Sequence, residues 1–136
     1  MNIEKTCVFV TTDPLSRVIT LKANTWTEHV LQGHGESTSE EIKNNVECPY
    51  MILNNVKPEY DGSDKFIIDH TRQDYIGMTV KDDRLYVMKT IVELENNSTG
   101  TIVTNHILRR VNEIKTIGGV IYDSRKGKGT TGMSNI

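Results

Sequence analysis

Two histidines, His29 and His34, stand five residues apart where a helix-like stretch ends, and Thr104 follows much later on a strand-like run. An imidazole gains and loses its proton near neutral pH, so two of them suit acid–base chemistry in which one is neutral while the other is charged. The chain has four histidines in all, so a close pair is unusual within it. The plain alternative is that His29 is a packed residue on an apolar helical face and Thr104 an ordinary member of a sheet.

Two other chemistries fit less well. Metal-assisted hydrolysis needs a third ligand at a defined spacing, and the sequence contains no HExxH motif or paired acidic motif. Gly127-Lys128-Gly129-Thr130-Thr131 superficially resembles a phosphate loop, but the first glycine of that motif is missing and no strand–helix unit surrounds it. No metal and no cofactor is therefore expected.

The elements that must position these residues follow from periodicity. Thr6–Thr11 and Arg17–Lys22 read as two short strands around the Asp13-Pro14 turn. Thr25-x-x-Glu28 has the form of a capping box, and Trp26, His29, Val30 and Gly33 fall on one face of a short helix that Gly33 ends. In an unbroken helix His29 and His34 would diverge by about 140°, whereas a stop at Gly33 lets them converge. Thr38-x-x-Glu41 opens a second helix, with Ile42 and Val46 on one face and Pro49 after it. The stretch from Asn54 to Asp64 reads as a long surface loop.

Beyond it Lys65–Asp69, Tyr75–Lys81, Arg84–Glu95, Thr101–His106 and Ile117–Asp123 are strand candidates, with turns at Asp82-Asp83 and Asn96–Gly100. A period of two puts Ile102, Thr104 and His106 on one face of their strand and Val103 and Asn105 on the other. The basic segment Arg109–Lys115 fits either a helix or a loop. The expected fold is α+β, two helices from the N-terminal half packed on a mostly antiparallel sheet. One domain spans residues 1–123, followed by a disordered tail over 124–136.

Composition narrows the class further. With 136 residues, 36% hydrophobic and 25% charged, the chain suits one globular domain with a modest core. No stretch approaches a membrane span, and the start MNIEKTCVFVTTDP lacks the features of a secretion signal, so a cytoplasmic protein is expected. Cys7 and Cys48 have no metal-ligand spacing and read as two buried free thiols. A net charge of −2 argues against indiscriminate coating of nucleic acid. From Ile107 onward, however, six basic residues face two acidic ones, which makes either a local basic face or a solvated tail.

The run TTDPLSRVITLKANTWTEHVLQGHGES carries a more specific signal. Asp13-Pro14-Leu15, Arg17, Val18, Leu21, Trp26, His29 and His34 resemble the pattern DPLGR-x-V-x-L, W-x-HIL-x-x-HPE of phage- and bacterium-associated proteins assigned to the barnase/EndoU/colicin/RelE ribonuclease fold. Glu41, Ile42, Val46, Pro49, Tyr75, the strand through Val87, Val103-Thr104 and the final Ile121–Asp123 extend a weaker likeness over roughly residues 6–123. Ser16 replaces the family's glycine, Gly35 replaces its proline, and one extra residue separates Trp26 from His29.

What the resemblance implies is metal-independent RNA cleavage, in which a base takes the ribose 2′-hydroxyl proton, the oxygen attacks the adjacent phosphate, and an acid protonates the leaving 5′-oxygen. His29 and His34 would share the acid and base roles. Thr104 would hold a phosphate oxygen, Lys89 or Arg72 would stabilise transition-state charge, and Tyr75 would stack on a base. The partners so implied are RNA and, for a toxin or phage-associated effector, an inhibitor or antitoxin protein. The competing expectation is a catalytically inactive protein-binding module of phage or mobile-element origin.

Overall fold

The computed structural model describes residues 7–31, 37–108, 114 and 116–126, the side chains of residues 29–31 excepted. Its fold is mixed α+β, dominated by one seven-stranded sheet. The strands are β1 (Cys7–Thr12), β2 (Val18–Lys22), β3 (Met51–Pro58), β4 (Phe66–Lys81), β5 (Arg84–Leu94), β6 (Thr99–Leu108) and β7 (Val120–Asp123). Their order in the sheet is β1-β2-β6-β5-β4-β3-β7. Every neighbouring pair is antiparallel except β2 and β6, which run parallel over Val18–Thr20 and Thr99–Thr101.

The first helical segment, α1, comprises one α-turn over Ala23–Thr25 and π-type turns over Trp26–Leu31. It begins directly from β2, so the capping box expected at Thr25 and Glu28 does not form; Lys22 occupies the cap position without a side-chain bond. The second helix, α2 (Ser39–Glu47), starts as its sequence demands. Thr38 Oγ1 accepts from the Glu41 amide at 3.1 Å, and Glu41 Oε1 accepts from the Thr38 amide at 2.8 Å, so two otherwise orphaned donors are satisfied.

Helix α2 turns Ile42 and Val46 into a core made with Ile19, Leu21, Ile52, Tyr75, Met88, Val92 and Ile102, against which Trp26 of α1 also packs. A smaller cluster of Leu53, Ile76 and Val87 lies on the opposite face of the sheet. Ile114, from the connection between β6 and β7, packs on that second cluster. The basic residues Arg109, Arg110 and Lys115 of that connection lie outside the described residues.

Several elements differ from expectation. Of the stretch expected as a loop from Asn54 to Asp64, the first part is strand, because β3 runs to Pro58 and pairs with β4 as far as Phe66, while residues 59–64 form the turn between them. Its two asparagines bond within the sheet's surroundings, Asn54 Nδ2 donating to the Gly118 carbonyl at 3.1 Å and Asn55 Nδ2 to Asp74 Oδ1 at 2.8 Å. The two strand candidates on either side of His70 form one sixteen-residue strand. Cys48 is exposed and Cys7 half-buried, where two buried thiols were expected. At the C-terminal end, Ser124–Lys126 form a 3-10 turn where a disordered tail was expected. Arg125 pairs there with Asp123 at 2.7 Å and lies 5.2 Å from the centre of the Tyr50 ring; residues 127–136 lie outside the described residues.

The Asp82-Asp83 turn does form, both residues having positive φ (52° and 63°) between the paired Lys81 and Arg84, as a two-residue hairpin loop requires. Ser16 also has positive φ, 65°. A side chain there is strained, whereas glycine is not. Ser16→Gly is therefore expected to stabilise the fold by about 0.5 kcal/mol, read as a higher denaturation midpoint in urea with an unchanged slope. A lower midpoint would mean that the serine hydroxyl contributes more than the strain costs.

Candidate functional site

The turn carrying Asp13-Pro14-Leu15-Ser16-Arg17 is a locked structural corner. Asp13 Oδ1 accepts from the amides of Leu15 and Arg17, each at 2.9 Å, while Oδ2 accepts from Arg17 Nε at 2.9 Å and from the Tyr75 hydroxyl. Arg17 Nη2 in turn donates to the Tyr75 hydroxyl oxygen at 2.9 Å. Burial and the Asp13 carboxylate push the Tyr75 hydroxyl well above the usual phenol range. Tyr75 is 0% exposed, its ring in the core. It thus presents no face to a nucleobase, and the stacking role expected of it is corrected to that of an internal anchor for the corner.

Three other residues singled out from the sequence project from one side of the sheet. On β4, Tyr75 and Gln73 turn toward the α2 face, so alternation points Arg72 and Asp74 the other way. On β5, Thr90 pairs with Tyr75 and is buried beneath α2, which leaves Lys89 on the side of Arg72. On β6 the pairing register slips between Ile91 and Val92, so that Thr104 is opposite Ile91 but Ile102 is opposite Val92. This bulge at Val103 overturns the simple period of two. Ile102 and Asn105 both face α2, while Thr104 and His106 face the side of Lys89.

The face so formed places Arg72, Asp74, Lys89, Thr104 and His106 on three adjacent strands. His106 is directly opposite Lys89, which brings their Cβ atoms to about 5 Å. Thr104 is two residues along from His106, hence about 7 Å away. Arg72 Nε is paired with Glu93 Oε1 at 3.1 Å, both side chains partly exposed. Asp74 is buried, accepts from Asn55, and is shifted above the usual carboxylate range chiefly by burial, with Asn55 and the Lys89 charge opposing. His106 was passed over in the sequence because no motif surrounds it. The signal available was the period of two, which sets it on the face of Thr104.

His29 belongs to α1, which runs alongside β6 beyond the short β2–β6 pairing and touches that strand. The side chain of His29 and all of His34 lie outside the described residues, as does Gly33. A separate groove of about 1080 Å³ lies between the Asp13–Ser16 turn, the Cys48–Tyr50 segment and β7, and contains none of the residues proposed from the sequence for chemistry. Among the described residues no three His, Cys, Asp or Glu side chains are grouped so as to hold a metal ion. No described helix is long and apolar enough to cross a membrane.

Comparison of the chain with protein-family profiles, with curated proteins and with solved structures yields no match.

Proposed function

We propose that this protein is a metal-independent endoribonuclease of the barnase/EndoU/colicin/RelE class. It would cleave RNA through attack of a ribose 2′-hydroxyl on the neighbouring phosphate. The observation that carries this reading is the gathering of Arg72, Lys89 and Thr104 on one face of the sheet, with the His29-bearing segment in contact with the strand of Thr104 and its Trp26 packed in the core on the other face. The sequence pattern from Asp13 to His34 supplies the reaction type.

In this reading one imidazole of the His29 and His34 pair accepts the 2′-hydroxyl proton. The 2′-oxygen bonds to phosphorus, the bond from phosphorus to the 5′-oxygen breaks, and the other imidazole protonates that oxygen. The products are a 2′,3′-cyclic phosphate and a free 5′-hydroxyl. Lys89 stabilises the charge gathering on the phosphate and the Thr104 hydroxyl donates to one of its oxygens. Arg72, already tied to Glu93, guides the RNA backbone toward the site. RNA is the substrate partner, and an inhibitor or antitoxin protein is the partner expected of a toxin or phage-associated effector.

Digestion of a mixed RNA pool in the presence of EDTA tests this. Wild-type protein is expected to leave 2′,3′-cyclic phosphate ends, and His29→Ala to lower the rate about a hundredfold. Intact RNA with both proteins, or cleavage abolished by the chelator, would count against the mechanism. A protein-binding module is the second reading, favoured by Met78, Val80 and Leu85, which are 55%, 66% and 65% exposed on the same side of the β4–β5 hairpin.

A further inference from the structure

We propose that His106, together with Lys89 and Thr104, forms a phosphodiester-binding subsite for single-stranded RNA. His106 would thus be a substrate contact that the N-terminal pattern does not include. The inference rests on the ribonuclease reading for its ligand class, but its geometry is independent of His29 and His34.

Register and burial carry it. His106 and Lys89 are paired across antiparallel strands, and Thr104, two residues before His106 in the same unbroken register, lies on the same face. All three are half-buried, exposed enough to meet a ligand yet backed by the sheet. An imidazole, an ammonium and a hydroxyl within one side-chain length of each other differ in reach, which suits the oxygens of one phosphodiester. A single-stranded backbone can lie along a sheet face in this way.

The acidic groups on this face do not cancel the subsite. Glu93 is neutralised by Arg72 at 3.1 Å. Asp74 is diagonal to Lys89 across β4 and β5, is buried, and already accepts from Asn55. Burial also disfavours its charged form, so it opposes a phosphate less than an exposed carboxylate would.

The probe is a 2′-O-methyl RNA decamer of mixed sequence, which cannot be cleaved by this chemistry, titrated against the full chain by fluorescence anisotropy and by NMR of the histidine ring protons. Parallel titrations use inorganic phosphate and a DNA decamer. The His106 ring signals are expected to shift with the decamer, His106→Ala to weaken binding about fivefold, and Lys89→Gln to weaken it about tenfold. Lys89→Gln is also expected to reduce the salt slope by about one. Lys57→Gln, on β3 beside Asp69, removes a charge away from the subsite and is expected to leave affinity within twofold.

Unmoved His106 signals, or equal affinity for wild type, His106→Ala and Lys89→Gln, would overturn the subsite even if wild type cleaves RNA. Binding that depends on His106 and Lys89 in a protein that cleaves nothing would uphold the subsite and remove the ribonuclease reading instead. A response to inorganic phosphate as strong as to the decamer would replace RNA by a small anion as the ligand and overturn the proposal as stated.

Discussion

Asp13→Ala is expected to destabilise the protein by about 3–5 kcal/mol, the loss typical when one member of a buried ion pair is removed and the other stays. Four groups lose an acceptor at once, namely the amides of Leu15 and Arg17, the Arg17 guanidinium and the Tyr75 hydroxyl. Arg17 is only 8% exposed, so its charge cannot recover by hydration without opening the corner. For a chain of this length the loss corresponds to a fall in Tm of roughly 10–20 °C. Tyr75→Phe removes only the hydroxyl and leaves Asp13 bonded to Arg17, so about 1 kcal/mol is expected. Thermal unfolding of the two variants should therefore differ clearly; similar small losses from both would show that the buried pair contributes little.

Gly77→Ala is the second large effect. A Cβ at position 77 would lie 1.9 Å from Asn45 Oδ1 and 2.9 Å from its Cγ. Asn45 cannot simply swing away, because its Nδ2 donates at 2.9 Å to both the Tyr75 carbonyl and Thr90 Oγ1. That chain continues from Thr90 to Asn105 at 2.6 Å and from Asn105 to Ser37 at 3.1 Å, all of it beneath α2. Moving Asn45 orphans buried groups, and leaving it in place displaces α2 from β4. Overpacking combined with a lost buried hydrogen bond gives an expected cost of about 3 kcal/mol. The diagnostic is the double variant with Asn45→Ala, which removes the clash and should unfold at a higher denaturant concentration than the two single losses would add up to. Strict additivity would mean that the collision is relieved elsewhere.

These two positions also show what a sequence can and cannot disclose. Thr38 and Glu41 announce the start of α2 because a capping box is local chemistry, complete within four residues. Asp82 and Asp83 announce their hairpin for the same reason. Asp13 and Arg17 stand out as a motif, but their partner Tyr75 is 58 residues beyond Arg17, and nothing in the local pattern says that its ring is internal. Strand β3 was hidden by Asn54, Asn55 and Pro58, turn-forming residues whose bonds are made to distant Gly118 and Asp74.

The candidate site divides along the same line. Arg72, Lys89 and Thr104 could be named as polar residues in strand-like runs, yet their common face depends on the register of three strands. The bulge at Val103 was invisible, since one extra residue leaves composition and spacing unchanged while exchanging the faces of everything after it. That single irregularity separates Thr104 from Ile102, while the pairing of His106 with Lys89 depends on the register of β5 against β6, which no local pattern shows.

The parallel pairing of β2 with β6 has a consequence for how the protein comes into being. Val18–Thr20 must wait for Thr99–Thr101, so on a ribosome the N-terminal hairpin and the His29-bearing segment are made first but have no sheet to join until most of the chain has been synthesised. Closing so wide a loop is slow compared with forming the local hairpins β3–β4–β5. A nascent or truncated chain therefore carries the β1–β2 hairpin and the helical segment after it without their neighbour, and the seven-stranded sheet is completed only when β2 meets β6.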